Sequence, residues 1–391
     1  MSGFHRFYWL VNLNSAVVFV SISYIQQSVA KNLGFLLPFV SAFMVMITIH
    51  MVHSEMIYKP KKGSPLLTTF GVVVNALKMC RVRYYHFCGD MTSWLDHAKE
   101  NYGGWYSEIH VESTKSLVRL FPLFAFQILY RTCIMQIPSG YYLQTMNSNL
   151  NFNGFFLPIA AMNVISILPI LFLAPILECI INTYLFDSKK HTRSPTIYII
   201  AGHLTAALSL IVAGFSEIHR KHFPPVEQTL SGRVLLVSSM PCFHLAPQYI
   251  LLGVAEALVT PTCSLLSFRL VPDGIQGISM HFLTLFNGAG CFMGAFIVQT
   301  TYAGSQGIWF PHFLHEGKLE RFFFFLASLM MVNTLGFWTI SHRYSNLHQE
   351  YAKGFRGSSL QEKLLQHEKN LKFYDSVLET TSTLSPVETF L

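Results

Sequence analysis

The chain has 391 residues and a formal net charge of +7, yet only 12% of its residues are charged and 51% are hydrophobic. A soluble domain carries about 25% charged residues, so this balance excludes an ordinary soluble enzyme or a solvated interaction module. Apolar runs of about 20 residues point instead to an all-α polytopic membrane protein.

The positive charge is read through topology, because the basic residues sit in loops with no aromatic-interleaved patch for nucleic acid. The seven cysteines show no C-x-x-C pair or zinc spacing, so neither a disulfide framework nor a metal site is expected. No cofactor-binding pattern and no nucleophile–base pairing can be read within the apolar runs, which argues against an enzyme.

In chain order, Phe7 to Ser28 forms the first expected span. Asn12 and Asn14 interrupt it too early for the continuous apolar region of a signal peptide. Leu33 to Val52 is the second span, and residues 1–53 are grouped as one unit. His50 and His53 share a helix face at its end, with Glu55 beyond, and are read as boundary polar residues. Residues 54–116 form a polar linker opened by Lys59–Pro65. Within it, Leu66 to Cys80 predicts an amphipathic helix on an anionic leaflet, with Lys78, Arg81 and Arg83 at its end. Asp90 to Gly104 reads as loop, and Ser107 to Ser116 as a short helix leading into the membrane.

Six further spans are expected over 117–341: Leu117–Ile137, Phe155–Thr183, Thr196–Phe215, Phe243–Phe268, Ile278–Tyr302 and Phe322–Ser341. The total is about eight transmembrane helices, followed by a polar tail over 342–391 in which Gln361–Leu371 predicts a short helix. Arg6, the basic linker, Lys189–Arg193, Arg269 and the tail then share one side. Only Lys31, Arg220, Lys221, Arg233 and Lys318 face the other. The positive-inside rule puts both termini in the cytoplasm.

Pro122, Pro138, Pro158, Pro169, Pro175, Pro247 and Pro261 fall in or beside these spans and permit kinks where neighbours re-satisfy the freed carbonyls. Gly288, Gly290 and Gly294 permit close helix approach. Glu256 is a lone carboxylate near the middle of an apolar span. Such a group costs roughly 2.5–3.5 kcal/mol at the bilayer centre and faces a bundle interior or a watery cavity. Either it is paired with a helix neighbour for structure, or it is a proton or cation site on a transport path.

Four stretches carry a family resemblance. Phe4–Ser15 follows F-x-x-F-Y-W-x-x-N-x-G-S, the fifth-helix signature of the proton-dependent oligopeptide transporters, a family of the major facilitator superfamily. Lys59–Pro65 is similar to the start of that family's central linker, Pro247–Glu256 to its tenth helix, and Glu316–Phe324 to the approach to its twelfth. Tyr130–Gln144, with the short loop between Ser216 and Cys242, resembles the peptide/histidine branch.

The resemblance implies a secondary transporter built of helices equivalent to five through twelve of a twelve-helix fold, with no cofactor and with protons as the coupling ion. By this register four helices, including the one bearing E-x-x-E-R, precede the chain. A fragment, a short isoform or an incomplete gene model is therefore expected. The implied activity is symport of small peptides or histidine-like amino acids. The alternative is a non-transporting structural or regulatory membrane protein.

By resemblance, Asn12 would hydrogen-bond peptide substrate, and Glu256 would meet the substrate amine or carry the proton. Tyr130 and Tyr141 would line the cavity. Asn14 replaces the signature glycine, Ser166 stands where an asparagine or aspartate is usual, and Leu265 or Leu266 replaces a second tenth-helix glutamate. Arg131 stands near a usually acidic seventh-helix position. It is either a structural partner for Glu256 or a contact for the substrate carboxylate.

Overall fold

The computed structural model describes residues 3–29, 31–53, 64–82, 93–186, 195–230, 233–272, 274–310 and 314–341. The expected tail helix, Glu55 and most of the Lys59–Pro65 stretch lie outside the described residues. Helix α1 (Gly3–Tyr24) turns through a π-helical segment, Ile25–Val29, into α2 (Lys31–Val52). The Trp9 indole N–H of α1 donates to the Leu171 carbonyl at 3.0 Å, and the Tyr24 ring stacks on Phe155 at 5.8 Å. Along α2, by contrast, apolar side chains such as Phe39 and Met46 stand about two-thirds exposed. Such a surface is suited to an apolar medium rather than to water.

Helix α3 (Pro65–Val82) occupies the predicted amphipathic stretch. Its Val72 and Ala76 pack on Leu95, Ala98 and Val111 in a small core of their own. The expected loop over Asp90–Gly104 contains two 3₁₀ turns, Trp94–Ala98 and Glu100–Tyr102. Ser93 starts the first with a capping box whose other half is Asp96, which satisfies two end donors reciprocally. The short helix expected before the membrane and the first span after it are one element, α4 (Glu108–Ile134).

Beneath this core lies a charge cluster. The Lys99 Nζ meets Asp96, Glu108 and Glu112 at 2.8–3.0 Å, and the Lys115 Nζ meets Asp96 at 2.6 Å and Glu112 at 2.9 Å. Burial alone would raise the Asp96 carboxyl, but hydrogen bonds and charge from Lys115 and Lys99 hold it below the usual carboxylate range. Burial would likewise lower the Lys99 ammonium, and its three carboxylate partners override that and raise it.

The rest of the bundle is α5 (Gly140–Met146), α6 (Asn163–Phe186), α7 (Thr196–Lys221), α8 (Ala246–Arg269), α9 (Gln276–Gly304) and α10 (Leu319–Ser341). Among the described residues seven helices are long and apolar enough to cross a membrane: α2, α4, α6 with its lead-in turn, and α7 to α10. The first of the eight expected spans, α1, is a shorter apolar helix over Trp9–Tyr24. Pro122, Pro169, Pro175 and Pro261 lie inside helices, whereas Pro247 sits in the first turn of α8, where its missing N–H costs nothing.

Two small hairpins interrupt the all-helical expectation. Strands β1 (Asn151–Phe152) and β2 (Phe155–Phe156) pair across Asn153 and Gly154, both at positive φ, as a two-residue turn requires. The span expected from Phe155 therefore begins only at Asn163. Strands β3 (Pro225–Leu230) and β4 (Arg233–Ser238) fill the connection between α7 and α8. Backbone bonds from Ser238 to Asn147, Asn149 to Met240 and Cys242 to Asn149 tie the two connections together.

Helices meet where glycine lets backbone touch neighbour. A Cβ on Gly290 of α9 would lie 2.6 Å from the Ile128 carbonyl of α4, and one on Gly253 of α8 would lie 2.0 Å from the Ser166 carbonyl of α6. Gly202 of α7 faces Val259 and Ala255 of α8 in the same way. The close approach expected at Gly290 is present, and Gly294 is also buried, but Gly288 faces open space.

Candidate functional site

Helices α4 and α8 bring Arg131 and Glu256 together. The Arg131 Nη1 lies 3.4 Å from the Glu256 Oε1, and the two side chains remain 27% and 21% exposed. The pair is thus neither sealed in the core nor on an open surface. Arg131 lies in the last turn of α4, where the helix dipole favours a cation. Glu256 lies mid-helix among buried Leu252, Ala255 and Val259, so Arg131 is the charge that compensates it.

Around this pair several polar groups keep unused hydrogen-bonding capacity. Gln127, one turn before Arg131 on α4, is 2% exposed and its Nε2 has no protein partner. The Arg131 Nε and both ring nitrogens of buried His203 on α7 are in the same condition. His203 stacks on the Tyr130 ring at 5.3 Å and meets Phe337 of α10 edge-on at 5.5 Å. Buried polar groups nearly always find a protein, water or ligand partner. Unused donor and acceptor groups of this kind, together with a partly exposed ion pair, are what a polar ligand could use.

The other predicted residues separate. Tyr130 belongs to this neighbourhood through its stack on His203. Tyr141 is fully buried between Tyr249 and Phe323, and its hydroxyl pairs with the Ser209 Oγ at 2.7 Å. Sequence alone showed an aromatic residue near a span end and could not show which way it faces. Ser166 is buried, donates to the Asn163 carbonyl at 2.7 Å, and presents its own carbonyl to Gly253, one turn before Glu256. Asn12 is half-buried on α1.

Tyr141 is one end of a buried polar chain that the sequence reading missed. The Gln248 Nε2 of α8 donates to the Gln144 Oε1 of α5 at 2.8 Å, and Gln144 donates to Glu217 of α7 at 3.1 Å. Glu217 receives Arg220 through two bonds of 2.6 and 3.0 Å, and Arg220 also donates to the carbonyls of Asn147 and Leu314. Beside it the Lys221 Nζ pairs with Glu320 of α10 at 2.6 Å and with the Gly317 carbonyl. The i, i+3 spacing of Glu217 and Arg220 was the available signal. Among the described residues no group of three metal-ligating side chains could hold an ion.

The fold is that of a polytopic helical membrane protein with an ion pair between two facing helices, and its class follows from the proteins it is similar to. Residues 1–310 match the family model described as PTR2, POT family, and the chain belongs to that family. It is 59% identical over 391 residues to human solute carrier family 15 member 5, covering all of this chain and 67% of that protein. It is also 23% identical over 385 residues to Protein NRT1/ PTR FAMILY 2.9 of Arabidopsis thaliana, covering 88% of this chain and 65% of the relative. The chain therefore spans about two-thirds of the length of these relatives.

Two solved structures share the fold. The POT family transporter PepTSo aligns with a TM-score of 0.64 at 17% identity, over 87% of this chain and 71% of that one. An auto inhibited POT family peptide transporter aligns with a TM-score of 0.62 at 16% identity, over 87% and 70%. The protein is an integral multi-pass membrane protein of a family of transporters, not of enzymes.

Proposed function

We propose that the protein is a secondary active transporter that moves small peptides or histidine-like amino acids by alternating access, coupled to protons, with both termini cytoplasmic. The observation that carries this reading is the Arg131–Glu256 pair, held between two helices yet partly exposed. A zwitterionic substrate offers an ammonium for Glu256 and a carboxylate for Arg131, so it can replace each partner with its own opposite charge. A proton arriving at Glu256 would also release Arg131 for the substrate carboxylate, so that proton and substrate could occupy the site together. Gln127 and His203 supply unused groups for the polar middle of such a ligand, Tyr130 an aromatic wall, and Asn12 and Ser166 polar contacts from α1 and α6. The family membership and the solved neighbour described as a peptide transporter support the substrate class.

A second reading has a specific observation behind it: the same pair is a closed ion pair that fastens α4 to α8, as a non-transporting structural or regulatory membrane protein would need. Uptake of labelled dipeptide into proteoliposomes separates the two. The transporter reading expects accumulation that grows with an inward proton gradient and is lost in Glu256→Gln. A scaffold gives no accumulation at any pH, and the substitution alters only its stability.

A further inference from the structure

We infer that the groove between the two hairpins is a docking site for a free short peptide, held in extended form and carrying a cationic side chain. The site lies at the end of the bundle remote from α3 and its charge cluster, between the β1–β2 turn and strand β3. It encloses about 630 Å³, within the roughly 300–1,000 Å³ typical of small-ligand sites.

Three features define what fits. The first is an unused donor. Gln228 is 5% exposed, its Oε1 accepts from the Leu150 N–H at 2.9 Å, and its Nε2 is buried without a partner. Leaving such a group unmade is costly, so an acceptor arriving in the groove would be rewarded. Asn149 and Asn151 reinforce this. Each gives its side-chain oxygen to local backbone, Asn149 to the Asn151 N–H and Asn151 to the Gly154 N–H, both at 2.9 Å. Their NH₂ groups have no partner among the described residues. The groove therefore offers amide donors to a ligand rich in carbonyl acceptors.

The second feature is a strand edge. Strand β3 pairs with β4 on one side only, and among the described residues no other backbone group is bonded to Val226–Thr229. A peptide lying along that edge would complete the ladder, the geometry of strand addition. The third feature is charge. Glu227 is the one ionisable residue among those lining the groove, and it is exposed with its carboxylate unopposed by any lysine or arginine there. A saccharide could use the amides and the Phe156 ring, but neither the strand edge nor the carboxylate would add to its binding. The extended cationic peptide uses all three.

This inference does not depend on the transport reading, and the test keeps the two apart. The full chain in nanodiscs is titrated with acetyl-Ala-Lys-Ala-Ala bearing a dye at its carboxyl end, followed by fluorescence anisotropy. The same probe with norleucine for lysine is the neutral control. Glu227→Gln is expected to weaken the lysine probe about tenfold, the loss appropriate to one charge-assisted hydrogen bond, and to leave the norleucine probe unchanged. Glu256→Gln should change neither. Because Glu227 is exposed and unbonded, an unaltered melting temperature confirms that the variant is folded. The inference fails if Glu227→Gln has no effect on the lysine probe. It fails equally if Glu256→Gln abolishes binding, which would assign the probe to the ion-pair site, or if maltotriose displaces the probe as well as unlabelled peptide does.

Discussion

Removing one partner of the Glu217–Arg220 pair should unsettle the bundle far more than removing both. Both side chains are buried, at 0% and 1% exposure, and the guanidinium makes two bonds to the carboxylate. In Glu217→Ala the cation keeps only the carbonyls of Asn147 and Leu314, at 3.2 and 3.3 Å. Those dipoles do not neutralise a charge held away from water, and stranding a buried ion in this way costs about 3–5 kcal/mol. Gln144 loses an acceptor as well. At about 2 °C per kcal/mol the melting temperature should fall by roughly 6–10 °C. The chain supplies its own reporters, since the free thiols of Cys133 and Cys263 are 0% and 2% exposed. A thiol-reactive fluorogen, used at one fixed scan rate, therefore follows their exposure on heating. The double variant Glu217→Ala/Arg220→Met should recover at least half of the loss, because the apolar replacement no longer strands a charge. A single variant melting within about 2 °C of the parent would refute the argument. So would a double variant that melts as low as two independent losses predict.

The same assay checks the glycine contacts. Gly253→Ala places a methyl 2.0 Å from the Ser166 carbonyl, a backbone atom that cannot rotate aside, and should cost about 1–3 kcal/mol; Gly288→Ala, in open space, should be neutral. Tyr141→Phe removes the hydroxyl on Ser209 and should cost about 1 kcal/mol, while Ser209 keeps its bond to the Gln248 carbonyl. The charge cluster below α3 gives a pH window. Asp96 has its carboxyl depressed, so its contribution is complete above the ordinary value near about 4 and is lost as pH falls through the lower folded value. Lys99 is raised, so its contribution is complete below about 10.4 and is lost only as pH rises through its higher folded value. Limited proteolysis of residues 93–107 should show uniform protection between these limits and earlier cutting in acid. The same early cutting should appear at neutral pH in Asp96→Asn.

How much of this was legible in the sequence follows from which forces act locally. Glu256 stood out because a carboxylate in an apolar helix has few physical excuses, and Arg131 because, by the family resemblance, it stands near a usually acidic position. That the two meet is a fact of packing between residues 125 apart, which no local pattern contains. The burial of Tyr141 is non-local for the same reason. Its neighbours Ser209, Tyr249 and Phe323 come from three other elements. The β1–β2 hairpin was readable in principle, since Asn153–Gly154 favours the left-handed backbone a tight turn needs. The run of apolar residues after it reads equally well as the start of a span. In β3 and β4 each strand is short enough for the connection between two membrane helices to pass for a loop.

The glycine contacts have a consequence for how the molecule could move. Gly290 fixes α9 against α4 backbone to side-chain root, and Gly253 and Gly202 fix α8 against α6 and α7. Where no long side chain intervenes there is no rotamer slack, so each of these groups should shift as one plate. Arg131 belongs to the first plate and Glu256 to the second. Spin labels on α9 and α6 would show one changing distance between plates and unchanging distances within them. The ion pair is then a latch across a seam, and one proton on one carboxylate is enough to leave that seam to packing and the buried Ser267–Ser279 hydrogen bond at 2.8 Å.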